Sequence, residues 1–308
     1  MILNCGEALI DMIPLANTDG KVVFQPLAGG AQFNTAIGLG RLGINCGMVS
    51  GISNDMFGQQ LIQSLMESRV STQYLVRSDR PTTLAFVKLT GGQATYTFYD
   101  EKSAGCTLLP ENISHLPAFV SCLCFGGISL IGDPSASTYC QLAERSSYNK
   151  IIMLDPNIRT SFILDEPSYR RRLQRIIAVA DLIKLSDEDL NWLVPEGDIA
   201  SKVSVLSQSS HQLVIVTRGG LSILAFRDEA LLVSSPVSMV DVVDTVGAGD
   251  AFNSGLLASF EQQGCLSKEK MARLTASQVG QALAYAGKVA AVTVSRDGAN
   301  PPWLSELG

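Results

Sequence analysis

The chain is expected to fold as an α/β protein: a doubly wound, mostly parallel sheet with helices on both faces, plus a small β-sheet lid. Three observations lead there. Short apolar runs bounded by turn residues alternate with longer segments of helical period, which is the pattern of βαβ units. At 308 residues, with 46% apolar and 17% charged, the chain can bury a deep core as one large domain. Residues 82–100 break the rhythm with two alternating runs, 82–90 and 94–100, joined by Gly91-Gly92 in the manner of a hairpin.

In order, residues 2–5 form a short apolar strand, and 12–24 leave the main rhythm. Helical periodicity follows at 31–42 and 57–68, with a strand at 46–50 between them. The hairpin and the 12–24 excursion together make the lid, taken as about 12–25 and 82–100. Apolar runs at 122–129, 151–155, 182–185, 213–217, 222–226 and 291–294 supply the remaining strands. Helices are expected at 135–147, 167–180, 187–193, 250–262 and 268–290. Ser186 is placed to cap the helix at 187, with Asp189 three residues on in the pattern of a capping box. No repeat or long linker divides residues 1–308, so they read as a single domain.

Charge and cysteine usage exclude several classes of function. The net charge is −6, and the one cluster of basic residues, Arg170, Arg171, Arg172 and Arg175, reads as a solvated helix face, so no nucleic-acid partner is expected. No run approaches the ~18 apolar residues of a membrane span. Seven cysteines, at 5, 46, 106, 122, 124, 140 and 265, lie scattered in apolar stretches and suit reduced thiols. Cys122 and Cys124 share one strand face. His115 and His211 stand far apart without a Cys-x-x-Cys pair, which argues against structural zinc. Acidic Glu7 and Asp11 fall where an export signal needs its apolar core, so a cytoplasmic location is expected.

The most informative segment is 244–255, DTVGAGDAFNSG, a Gly-Ala-Gly turn directly before an apolar helix with Asp250 at the junction. First-turn N–H groups have no partner within the helix, and the positive end of the macrodipole faces outward there. Gly247 and Gly249 let those groups converge on an anion. Asp250 could then deprotonate an attacking hydroxyl, although an Asp after a glycine turn also serves as a plain N-cap. Ligands of open α/β sheets sit beyond the carboxyl ends of the strands. There the chain places Glu7 and Asp11, then Gly29, Gly30 and Asn34; Asp11, the two glycines and Asn34 make a set that suits a polyol and that equally fits loop and helix-surface roles. Asp155-Pro156-Asn157-Ile158-Arg159 follows another strand, and its Arg159 fork suits a carboxylate, a phosphate or a hydroxyl pair. Lys184 and Ser186 end a further strand. Thr217-Arg218-Gly219-Gly220 forms a turn that could meet a nucleotide phosphate or be a simple hairpin turn.

Taken together, Gly29-Gly30 with Asn34, Ser186, the 217–220 turn and Asp-Thr-Val-Gly-Ala-Gly-Asp at 244–250 resemble the ribokinase-like, or phosphofructokinase-B, carbohydrate kinases over essentially the whole chain. FYDEKSAG (98–105), FGGISL (125–130) and DPNIR (155–159) look most like the fructokinases of that family. The resemblance implies ATP-dependent phosphorylation of a primary hydroxyl of a ketose, most simply fructose to fructose 6-phosphate, with Mg2+ and K+. It makes Asp250 the base and the amides of Gly247, Ala248 and Gly249 the anion hole. Asp11, Gly29, Gly30, Asn34 and Arg159 would hold the sugar. Lys184, Ser186, Thr217, Gly219, Gly220, Gly249, Ala286 and Gly287 would line the nucleotide. Asp244 and the carbonyls of Val246, Thr293, Arg296 and Gly298 would hold potassium. A homodimer through the lid is expected with it.

Two departures stand out. Ser186-x-x-Asp189 replaces the family's frequent Asn-x-x-Glu, and Gly287 stands where an Asn is common near the adenine. A 2-keto-3-deoxygluconate kinase or another sugar or nucleoside kinase of this family is the alternative; a non-catalytic sugar- or nucleotide-binding regulator is more remote. A Rossmann dehydrogenase would need Gly-x-Gly-x-x-Gly after the first strand, where the chain reads Cys5-Gly6-Glu7-Ala8.

Overall fold

The structure is a computed structural model that describes every residue except 17, 18, 91, 92 and 238. The large sheet starts from β1 (Ile2–Cys5), which pairs in parallel with β4 (Cys46–Ser53) on one side and β8 (Cys122–Gly126) on the other. Before β4 come two strands of a second sheet, β2 (Leu9–Ala16) and β3 (Val22–Gly29), and helix α1 (Ala31–Arg41). Helix α2 (Met56–Glu67) and edge strand β5 (Leu75–Ser78) follow β4, and β6 (Leu84–Thr90) and β7 (Gln93–Tyr99) complete the second sheet. The parallel series runs outward from β8 through β9 (Ile151–Asp155), β10 (Leu182–Ser186) and β11 (Leu213–Thr217). Two antiparallel strands, β12 (Ser222–Arg227) and β13 (Ala230–Pro236), close that edge. The resulting orders are β13-β12-β11-β10-β9-β8-β1-β4-β5 and β3-β2-β6-β7.

Period-two side-chain alternation explains why helices cover both faces. Ile2, Cys122, Cys124, Ile151, Met153 and Leu182 point into one buried cluster; Leu3, Cys5, Leu123, Phe125, Ile152 and Leu154 point into the other. The first cluster is closed by α1, α2, α7 (Ala248–Gln262) and α9 (Ala276–Val294). The second is closed by α3 (Ser135–Ser146), α4 (Glu166–Val179), α5 (Asp187–Leu193) and α6 (Ile199–Leu206). Cys122 and Cys124 share a face as expected, and all seven cysteines are free thiols.

Several expected elements differ. Residues 291–294 are the last turn of α9 rather than a strand. Val292, Thr293 and Val294 carry strand-like β-branching, but Thr293 Oγ1 bonds back to the Val289 carbonyl and the residue is wholly buried. The helix expected at 268–290 is two helices, α8 (Lys268–Ala272) and α9, because Thr275 caps the second by accepting from the Gln278 amide. The run from Cys122 stops as a strand at Gly126, where φ is 154°, and a 3-10 turn covers Gly127–Leu130. The second sheet supplies the four strands around the expected lid region, extending to residues 9–29. The Gly91-Gly92 turn lies outside the described residues. No helix is long and apolar enough to cross a membrane among the described residues.

Candidate active site

At the start of α7, Gly247 adopts a left-handed conformation (φ 75°), and a Cβ there would lie 2.6 Å from the Ala299 Cβ. Only glycine fits both demands. The turn leaves the amides of Gly247 and Gly249 without a protein acceptor among the described residues, whereas the Ala248 amide donates to the Thr245 carbonyl at 3.3 Å. Of the three amides expected to face an anion, one is therefore partly committed to the turn itself.

Asp250 follows in the first turn, 7% exposed, with Oδ2 accepting from Asn34 Nδ2 at 2.9 Å. Burial pushes its carboxyl up to about 7; the Asn34 bond and nearby Lys184 oppose the rise, and the charges of Asp155 and Glu7 add to it. Asn34 reaches it because Gly30 caps the start of α1; its φ is 109°, and its Cβ, were one present, would press on the Glu7 carbonyl at 2.9 Å. Glu7 secures this corner by accepting from the amides of Ala31 (3.0 Å) and Ser129 (3.3 Å). Its carboxyl is also raised by burial.

Asp11 stands on β2, where burial raises its carboxyl to about 6. A Cβ at Gly29 would sit 2.3 Å from Asp11 Oδ2, so the glycine is what admits this carboxylate. Asp11, Gly30, Asn34, Arg159, the 247–249 turn and Asp250 all line one cavity of about 330 Å3. Glu7, which the sequence places with Asp11 after the first strand, lines it too, as do Tyr96, Phe98, Asn157 and Phe162, which sequence reasoning did not single out as site residues. Phe98, from β7, meets Phe162 edge to face at 4.6 Å between centroids, so the small sheet touches the loop that carries Arg159.

The expected nucleotide side is a different surface. Ser186 and Thr217 are register neighbours at the ends of β10 and β11, and the exposed Gly219 and Gly220 lie in the turn after β11. Gly287 on α9 faces Ile223 of β12. Ala286 is wholly buried, its Cα 2.8 Å from where a Cβ on Gly255 of α7 would sit. Lys184 is buried as well. Its Nζ donates to Asp155 Oδ2 (3.0 Å), which also accepts from Asn253 (2.6 Å), and it sits directly beneath Gly249. Ser186 and Asp189 form the expected capping box. Asp189 Oδ1 takes the Ile158 amide (3.0 Å) and Oδ2 the Ser186 amide (3.4 Å), so the shorter acid is engaged by backbone.

Asp244 ties the turn to the end of α9. Its Oδ1 accepts from the Val246 amide (3.0 Å) and its Oδ2 from the Gly298 amide (2.9 Å). The Thr293 carbonyl accepts the amides of Ser295 and Arg296, while the Gly298 carbonyl accepts one, from Asn300, leaving it a second lone pair. Among the described residues no group of three His, Cys, Asp or Glu side chains could hold a metal. A carboxylate near carbonyl oxygens is a set of hard oxygen donors, the kind that suits an alkali or alkaline-earth cation.

The model of the pfkB family of carbohydrate kinases matches residues 2–306. A fructokinase of Rhizobium leguminosarum bv. trifolii is 44% identical over 274 residues, 89% of this chain and 84% of the relative. The crystal structure of a Xylella fastidiosa fructokinase with bound ATP superposes with a TM-score of 0.90 at 28% identity, covering 99% of this chain and 96% of that one. A fructokinase double mutant from Vibrio cholerae O395, solved with fructose, ADP and potassium, shares the fold with a TM-score of 0.84 at 24% identity over 97% of this chain and 93% of that one. With a family model spanning nearly every residue, the chain belongs to the pfkB family of carbohydrate kinases.

Proposed function

We propose that the chain transfers the γ-phosphoryl of ATP to the primary hydroxyl of fructose, giving fructose 6-phosphate and ADP. The observation that carries this reading is the buried Asp250 carboxylate, bonded to Asn34 and standing directly after the turn that carries the Gly247 and Gly249 amides, in the same cavity. Asp250 accepts the hydroxyl proton as the new O–P bond forms and the bond to the ADP oxygen breaks. A base raised to about 7 is suited to that task near neutral pH. The amides of Gly247 and Gly249, with a weaker contribution from Ala248, hold the moving phosphoryl oxygens.

Asp11, Asn34 and the backbone at Gly29 and Gly30 hold the other sugar hydroxyls, with Arg159 at the cavity's rim. Ser186, Thr217, Gly219, Gly220 and Gly287 flank the nucleotide, and Lys184 contributes charge from beneath Gly249. When bound, magnesium would supply charge neutralisation at the phosphates, and Asp244 with the carbonyls of Val246, Thr293, Arg296 and Gly298 would hold potassium. Fructose is favoured over 2-keto-3-deoxygluconate because Arg159 is the one cation lining the cavity among the described residues, while a keto acid calls for a pair. The fructokinase relatives support the same choice.

Residues 1–308 act as one domain whose small sheet closes over the sugar and excludes water. The exposed Val22, Val23 and Phe24 on edge strand β3 suit pairing with a second copy, in a cytoplasmic homodimer. A coupled assay of ADP release with fructose, ribose, 2-keto-3-deoxygluconate and nucleosides, with and without potassium, tests the reading. Fructose should give the highest kcat/KM; a failure of fructose to release ADP sinks it.

A further inference from the structure

Helix α1 presents Asn34 to the cavity near its start and carries Arg41 at its last residue, about 10 Å along the axis. Arg41 does not touch the cavity. Its Nη1 donates to Asn300 Oδ1 and to the Pro301 carbonyl, both at 2.7 Å, and its Nε to Ser68 Oγ at 3.3 Å. The guanidinium also lies over the Trp303 ring (5.5 Å), with Arg69 likewise stacked on that ring (5.3 Å). Glu306 pairs with Arg296 and accepts the Trp303 amide (2.7 Å), closing residues 296–306 into a strap that Arg41 fastens to α1.

The strap in turn borders the phosphoryl-holding turn. Asn300 donates its amide to the Gly298 carbonyl (2.8 Å), and the Gly298 amide is held by Asp244, whose other oxygen fixes the Val246 amide. Ala299, between them, packs on Gly247 so closely that no Cβ fits there. On this route, resting on the kinase reading above, we propose that Arg41 is a positioning residue that sets the 247–249 turn through residues 298–301.

One helix thereby fixes both sides of the transfer. Its first turn places Asn34 against Asp250 on the acceptor side, and its last residue places the amides on the phosphoryl side. Rigid placement of this kind matters because misplacing reacting groups by about 1 Å costs up to about 100-fold in rate.

The test compares wild type, Arg41→Ala, Arg41→Lys, Asn300→Ala and Arg69→Ala well below their melting temperatures, by steady-state kinetics and by amide hydrogen exchange. Arg41→Ala is expected to lower kcat about 10- to 100-fold while the KM for fructose stays within about twofold. Arg41→Lys should recover part of the loss, since an ammonium can still reach one of the two acceptors. Asn300→Ala should lose less than Arg41→Ala, and the double variant less than the product of the two. Exchange at the Val246 and Gly298 amides should quicken in Arg41→Ala and stay unchanged in Arg69→Ala. Unchanged kcat and unchanged exchange in Arg41→Ala, or equal losses in Arg69→Ala, would overturn the proposal. Wild type that phosphorylates no sugar refutes the kinase reading instead, and the exchange comparison still decides what Arg41 holds.

Discussion

Replacing Asp250 with Asn should abolish catalysis and stabilise the fold in the same step. The carboxyl is 7% exposed, and its rise from 3.8 to about 7 corresponds to about 4 kcal/mol of unfavourable ionisation in the folded state once pH exceeds 7. The sign follows from the folded value lying above the unfolded one: nothing is lost below 3.8, the loss grows as pH rises, and it levels off above about 7. Asparagine carries no charge and can still accept from Asn34. The expected gain is therefore about 4 kcal/mol at pH 8 and about 2 kcal/mol at pH 5. At roughly 2 °C per kcal/mol for a chain of this size, Tm rises by about 8 °C at pH 8 and by about 4 °C at pH 5. Over the same substitution kcat falls at least about a thousandfold, at the upper part of the range for losing a positioned base. Differential scanning calorimetry at the two pH values and a coupled kinase assay read both effects. A Tm that falls, or rises equally at both pH values, would refute the burial argument; turnover within tenfold of wild type would remove the base.

Other outcomes follow from the same geometry. Gly29→Ala puts a methyl 2.3 Å from Asp11 Oδ2, so the KM for fructose should rise about tenfold or more with kcat less affected; an unchanged KM would separate Asp11 from sugar binding. Lys184→Met leaves the Asp155 carboxylate buried without its partner and should destabilise the protein by about 3–5 kcal/mol in urea melts, while Lys184→Met with Asp155→Asn recovers much of that. The kcat/KM profile for fructose should climb on its acid side through about 6 and 7 as Asp11 and Asp250 ionise, and a profile flat from pH 5 to 8 would contradict both assignments.

The central strands and most helices were legible because their period and their bounding turns are local properties. What was missed depended on neighbours. Strand β3 has no buried face over most of its length, and β13 is half exposed at the sheet's edge, so neither gives a clean apolar signal. Residues 291–294 show the reverse, a strand-like composition overruled by helix packing on α7. In the site, Asp250, Asn34 and the glycine turn could be found because helix starts are written in short motifs. Tyr96, Phe98 and Phe162 could not, since a distant sheet and loop bring them together; the aromatic alternation within residues 94–100 was the available hint. Nor could a local motif foretell that Ala286 lies wholly buried where α9 packs on α7.

The most direct measurement is a crystal structure of the protein with fructose, ADP and a planar phosphoryl mimic such as aluminium fluoride. An Asp250 oxygen should lie within about 3.2 Å of the sugar's primary hydroxyl, with the mimic's equatorial atoms on the Gly247 and Gly249 amides. A sugar seated with that hydroxyl away from Asp250, or a mimic that leaves those two amides untouched, would contradict the account at its centre.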